Sequence, residues 1–557
     1  MAQTRLLPKS AWGLCTAVHQ TVRPVVHLRP ERYQPVASAA QAFLTKNIGY
    51  LTLNGPFGSD PMLALAAAAG ATENLSSFFR DVKVMNLYWP GAGLPHIPRS
   101  LRELHLHLGY ADCSSLVVCA LVHVAARSTH PPCLQTGAKM PASTLPAHDA
   151  AVPPADGDFG PSTLTSLSFA SGISSLPDSI GKVPTLTALT LRDNHQVTGL
   201  PDSLTHLPNS VRGLSQLTTL TLRNCTGLRH LPDGIGGLTS LAMLDLSGCA
   251  SLVCVPETIG GLSALTAFDL NTCGVLSRLP DSLGSLAALA TLDLSFCASL
   301  TGEPETIGDV SALTALNLDS CSALARLPES LGSLAALATL NLHACDKLQR
   351  LPDGIGNLAA LSDLDLNGCG SLQVLPDAIA RLATLTSLGL GYCMLMTRLP
   401  DGIGSLRALT QLALPGCYAL AALPETIGEL AALKSLHLAD CRALTRLPQS
   451  IGDLAALMTL QLSGCRALMR LPERIGELTA LTALHLHGCP ALTQLPQSIG
   501  ALAALITLTL CGCHALPRLP QSIGALAALR RLDLRNCPPA LRQSLPHSLV
   551  RVTQLDA

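Results

Sequence analysis

The amino-acid sequence predicts an α/β repeat solenoid, with a parallel β-sheet lining a concave face and short helical or 3-10 turns on the convex face. Three observations predict it. Between Leu217 and Cys537 a 24-residue unit recurs without change of length, its first copy carrying Leu217, Leu220, Leu222, Cys225, Leu228, Leu231, Pro232, Ile235, Gly236 and Leu238. A cysteine returns in every copy, at Cys225, Cys249, Cys273, Cys297, Cys321, Cys345, Cys369, Cys393, Cys417, Cys441, Cys465, Cys489, Cys513 and Cys537. A proline runs from Pro208 to Pro520 in the same step, which makes 14 units in strict register.

Each part of the unit has a physical reading. The alternation in LxxLxL gives a short strand whose leucines point into the core while the intervening residues point out. After the cysteine the chain turns back as Pro-x-x-Ile-Gly-x-Leu. Proline fits a first helical position because it has no N–H to lose there. Gly236 and its equivalents permit a tight turn that a β-carbon would hinder, with Ala380 the one departure in the later copies. Acids such as Asp233, Glu257, Asp281, Glu329, Asp353, Glu425 and Glu473 follow the proline and complement a helix dipole, for at most about 1 kcal/mol each. Arg278, Arg326, Arg350, Arg398 and Arg470 stand three residues before those acids, at a distance suited to pairing with them.

The pattern LxxLxLxxCxxL followed by xxLPxxIGxLxx resembles the leucine-rich repeat, and ten positions per unit agree across 14 consecutive units. Its LSGC and LPxxIG flavour is similar to the repeats of plant intracellular immune receptors and of leucine-rich effectors from plant-associated bacteria. The resemblance implies a leucine-rich-repeat horseshoe. It also implies that the residue at the cysteine position turns inward and caps backbone of the adjacent coil, a role in which Asn194 replaces cysteine in the second unit. Neighbouring thiols then lie about 4.8 Å apart with parallel side-chain vectors that do not suit a disulfide. A column of reduced thiols implies a cytoplasmic, reducing location. Secretion into a host cell by a bacterium is the alternative that the effector resemblance implies.

A solenoid escapes the usual relation of length to domain count, because each repeat touches only its neighbours. Residues 1–46 form a basic segment, with Arg5, Lys9, Arg23, Arg29, Arg32 and Lys46 against Glu31, read as disordered or targeting. It has no compact apolar core before a cleavage site, as a secretory signal would have. Residues 47–124 carry degenerate repeats and an N-terminal cap, around Leu51, Val84 and Leu104. The proline- and alanine-rich stretch 125–162 is a linker or loop, 163–537 the solenoid, and 538–557 a C-terminal cap. Leu186 to Leu217 spans 31 residues where 24 is the rule, an insert expected to bulge outward without breaking the sheet.

Aromatic residues make up 3% of the chain and charged residues 13%, so the core must be aliphatic. The net charge of -1 gives no bulk attraction to nucleic acid or anionic lipid. No apolar run approaches the roughly 20 residues of a membrane span. Function is therefore expected on the outward strand positions, in three zones. Asp245, Asp269, Asp293, Asp319, Asp363 and Asp365 form an acidic zone, read either as a solvated face or as a docking site for a basic partner. Gly389, Gly391 and Ala413 leave a nearly bare saddle beside Tyr392, where Pro415 deletes an N–H and is expected to disturb the ladder. His437, His485 and His487 form the third zone, read as surface histidines, with a metal or a pH-sensitive contact as the lesser readings.

No phosphate-cradling loop, nucleophile elbow, HExxH or kinase signature occurs. The immune-receptor resemblance covers only the repeats, and the 20 residues after Cys537 are too few for the ligase domain some bacterial effectors carry. The expectation is a monomeric, non-catalytic scaffold without cofactors that recognises a protein partner on its concave face.

Overall fold

The computed structural model describes the strands Val25–Leu28, Tyr50–Leu53, Val84–Trp89 and Glu103–Leu108, then residues 164–170, 176, 178–192, 206–543 and 554–556. Segment 125–162, Asn194 and the region of Leu200 and Pro201 lie outside the described residues. The chain divides into two compact units, Met1–Leu241 and Ala242–Ala557.

In the first unit seven strands pair in chain order, all parallel, from Val25–Leu28 through Ser166–Ala170 and Ala188–Arg192 to Thr219–Arg223. The weak leucine fragments at Leu51, Val84 and Leu104 are strands of this sheet, and the 31-residue interval leaves Leu189 opposite Leu220. In the second unit, strands from Met243–Asp245 to Arg531–Asp533 recur every 24 residues and pair parallel in register, Leu292 facing Leu316 and Leu316 facing Leu340. Equal coil length is what holds that register, since a slip of one residue would turn every leucine outward.

Each coil returns through a 3-10 turn closed by i to i+3 bonds, as in Glu425–Glu429, where Ile427 N–H donates to Pro424 O at 3.1 Å. The proline sits one position earlier than expected. It is the N-cap, extended at φ -69 and ψ 154 for Pro424, and the acid after it takes the first turn position. Proline serves there because its fixed φ fits the extended approach. Inside, one coil of the second unit stacks Leu244, Leu246, Cys249, Leu252, Ile259, Leu262 and Leu265 at 0% exposure. Among the described residues the aromatic side chains of the core are Phe169 and Phe268, and the rest of the apolar filling is aliphatic apart from the cysteines and Met396.

The acids of the turn act between coils. Glu257 accepts from Ser282 N–H at 3.0 Å, Glu329 from Gly354 N–H at 3.0 Å and Glu425 from Ser450 N–H at 3.2 Å. Among the described residues Arg278, Arg326, Arg350, Arg398 and Arg470 make no ion pair, contrary to the spacing expectation; Glu329, three residues after Arg326, gives its carboxylate to the next turn instead. The ion pairs of this face are those of Arg474 with Asp453 and Glu477.

The recurring cysteine places its Sγ under the preceding coil. Cys297 donates to Leu270 O at 3.3 Å, and the same bond recurs from Cys273 to Cys513. Burial pushes these thiols up, to about 12 for Cys297, Cys369 and Cys417. Iodoacetamide at pH 8 is therefore expected to modify Cys254 and Cys511, which are partly exposed, and to reach the ladder cysteines only in denaturant. Peptide mapping that found Cys297 alkylated in the native protein would contradict this.

Candidate functional site

The outward strand residues lead into a turn that is alike in every coil of the second unit. Leu246 N–H donates to Asp269 O at 2.8 Å and Gly248 N–H to Asn271 O at 2.7 Å, both on the following coil. The amide between them, on Ser247, has no such partner and needs another acceptor. Asp245 Oδ1 supplies it at 2.9 Å and also accepts the Ser247 hydroxyl at 2.6 Å. Asp269 does the same for Asn271 N–H, Asp293 for Ser295 N–H and Asp365 for Asn367 N–H, at 2.8–2.9 Å. Asn317 and Asn341 cap Asp319 and His343 in the same way.

From Asp245 to Asp365 the first outward column is thus a run of Asx turns, with side-chain oxygens mimicking a backbone acceptor. Interleaved donors relieve the repulsion between the acids of this face. Asn317 Nδ2 donates to Asp293 at 3.1 Å, and His343 Nδ1 lies 2.9 Å from Asp319. Asp245 is 7% exposed, whereas Asp363, on the other side of its strand leucine, is exposed.

The glycine saddle is floored. Ala413 has no acceptor and Pro415 has no N–H, so this coil omits cap and donor together. The ladder runs through it undisturbed, contrary to the expectation for Pro415. Tyr392 N–H donates to Pro415 O at 2.6 Å and Gly416 N–H to Ala439 O at 2.7 Å. The reason is that the amide position proline occupies is the one that never joins the ladder. Gly391 N–H is taken by Asn367 Oδ1 at 2.6 Å, and both Gly389 and Gly391 are buried. A β-carbon on Gly391 would lie 2.8 Å from both Asn367 and Pro415.

What stands above this floor is the residue just before each cysteine. It has positive φ in all of these coils, and glycine fills it at Gly248, Gly368, Gly416, Gly464, Gly488 and Gly512. Phe296 and Tyr392 adopt the same conformation at φ 59 and 58, with 51% and 52% of their surface exposed. A β-carbon there costs roughly 1–2 kcal/mol relative to glycine.

Residues 316–420 match the family model described as a leucine-rich repeat region. A leucine-rich repeat protein of Leptospira interrogans aligns at 29% identity and TM-score 0.54, covering 69% of this chain and 93% of that one. The leucine-rich repeat domain of the type III effector XopL is 30% identical over 38% of this chain and 74% of its own, with TM-score 0.34. This chain belongs to the leucine-rich repeat family. The Drosophila Toll–Spätzle complex shares the fold at 17% identity and TM-score 0.52, over 82% of this chain and 54% of that one. No curated protein matches.

Leucine-rich repeat strands set residues two apart on one face, yet His485 and His487 diverge. His485 Nδ1 faces Thr509 Oγ1 on the following coil at 3.3 Å, and His487 Nδ1 faces Ser463 Oγ on the preceding one at 2.6 Å. Among the described residues no three His, Cys, Asp or Glu side chains gather to hold a metal. No helix among them is long and apolar enough to cross a membrane. Burial lowers the pKa of His437 and of His485 and so favours their neutral forms. Phe296 is the exposed ring that the strand columns miss, because it lies one residue beyond them. The signal was available in the sequence, since the position before the cysteine otherwise holds glycine or a small or polar residue, and only Phe296 and Tyr392 put a ring there.

Proposed function

We propose that this leucine-rich repeat chain is a non-catalytic scaffold that binds a protein partner across its strand face, with Tyr392 as the anchor and Phe296 as a second contact. The observation that carries the reading is the pair of half-exposed rings held in a left-handed backbone, Tyr392 between coils that carry Gly368 and Gly416 there and Phe296 between coils that carry the small Thr272 and Ser320. Strain of this kind is retained at functional positions, and aromatic rings dominate protein interfaces. Exposed Asp363 and the ordered groups of Asp319, His343 and Asp365 surround the contact with polar groups. The histidines give the far end of the same face a hydrogen-bonding character. The free, buried thiols support a reducing, intracellular location.

Glycine substitution gives a clean test, because it suits the backbone it replaces. The Tyr392→Gly, Phe296→Gly double variant is expected to keep or raise the unfolding temperature. It should lose the partner that the native chain retains in affinity purification with mass spectrometry. Identical captured proteins from both chains would remove these rings from the interface.

A further inference from the structure

The net charge of -1 conceals a segregation of charge within the second unit. Acids occupy the 3-10 turns and the strand face. The flank between, from the residue after each cysteine to the leucine before each proline, carries one outward acid, Asp346. Along it, at one repeat position, stand Arg326, Arg350, Arg398, Arg446, Arg470 and Arg518, all exposed and none in an ion pair. Arg278 begins the same column. The positions between them hold Gly302, Val374, Ala422 and Gln494, never a carboxylate. Backbone bridges join Arg446 to Arg470 and Arg470 to Gln494 in parallel register, so neighbouring guanidinium stems leave the chain about 4.8 Å apart.

Like charges at that spacing repel. Three residues after Arg326 the Glu329 carboxylate is taken by Gly354 N–H of the next turn, Arg446 and Arg518 are followed at that distance by Gln449 and Gln521, and none of the column's arginines is in an ion pair. The same flank carries exposed Val275, Val374, Met394, Leu395 and Met469. Its one described aromatic, Tyr418, is covered by the Arg442 guanidinium at 4.3 Å from the ring centre. A single-stranded nucleic acid wants free aromatic platforms between the basic groups, whereas apolar side chains between arginines suit a peptide. The guanidinium fork matches carboxylates two oxygens at a time.

We infer that this arginine-lined flank is a second docking surface, separate from the strand face, for an extended peptide segment of a partner that alternates acidic and aliphatic side chains. The segment lies across successive coils, its carboxylates taken by the arginine column and its aliphatic side chains by the valine, methionine and leucine positions.

The test uses the full chain and a fluorescein-labelled (Glu-Val)6 peptide, with (Lys-Val)6 and a 15-base oligothymidine of the same label as comparators. Fluorescence anisotropy is expected to show saturable binding of (Glu-Val)6 that weakens tenfold or more between 50 and 300 mM salt. No binding of (Lys-Val)6 is expected. The Arg326→Glu, Arg350→Glu, Arg446→Glu, Arg470→Glu variant should lose it at unchanged circular dichroism, and the milder version with glutamine at those sites should weaken it at least fivefold. The Tyr392→Gly, Phe296→Gly variant should bind it as the native chain does, which separates this surface from the strand-face reading. Absent binding, binding that survives charge reversal, or tighter binding of the oligothymidine would overturn the inference.

Discussion

Replacing Glu303 by leucine is expected to raise the urea midpoint of unfolding and to abolish a pH dependence that the native chain shows between about pH 4.5 and 8. The position is the leucine of the Leu-Pro pair, buried to 5% exposure at Leu279 and 6% at Leu327 in the coils on either side. Although Glu303 as a whole is only partly buried, both of its carboxyl oxygens are enclosed and neither has a hydrogen-bond partner. Burial moves the carboxyl from its ordinary 4.5 to about 8. The folded chain therefore holds this proton to a higher pH than the unfolded chain does. Its contribution is fully favourable below about pH 4.5 and is lost as pH rises to about 8, a swing on the order of 5 kcal/mol. Glu303→Gln keeps the buried polar group but removes the titration, and Glu303→Leu removes both. Urea midpoints of the three chains at pH 5.5 and 8.5 separate these effects. If the native chain and Glu303→Gln change in parallel with pH, the carboxyl is not titrating in the core and the explanation fails.

Glu303 also shows where repeat reasoning loses sight of the molecule. A 24-residue pattern makes each inward position legible because the same residue type is forced there in every coil, and the leucines, the proline-led turns and the parallel register all followed from it. Averaging over copies also hides the one copy that departs. The strand face was less legible for another reason. Asp269 and Asp293 read as free charges in the sequence, yet an unpaired backbone amide two residues on claims each of them. That amide is created by the turn, and a list of outward residues does not contain it. Pro415 was misread for the same cause, since its effect depends on whether the missing N–H belonged to the ladder. Sequence distance alone pairs the arginines of the flank with nearby acids, but it does not carry the direction of the carboxylate, which for Glu329 is toward the next turn and away from Arg326.

Gly428→Ala is expected to cost about 3 kcal/mol of stability, read as a fall in urea midpoint with the far-ultraviolet spectrum retained. The glycine of the Ile-Gly pair is set by close approach between coils and not by an unusual dihedral angle. A β-carbon on Gly428 would lie 2.3 Å from Ser450 O and 2.8 Å from Ser450 Cβ, both on the following turn. Backbone cannot swing aside as a side chain can. Relief requires spreading two coils, which stretches the strand ladder between Leu412 and Leu436 and their neighbours. Ala380 is the natural exception to the glycine rule, and its surroundings explain how it is carried. Its β-carbon faces Gly402, which has none, and a β-carbon placed on Gly402 would lie 2.8 Å from it. The two positions should therefore be coupled. Gly402→Ala is expected to destabilise the native chain, and Ala380→Gly to recover at least 1 kcal/mol of that loss in the same background. Costs that simply add in this double-mutant cycle would mean the coils are free to part locally, and close stacking would not be what confines the repeat to glycine.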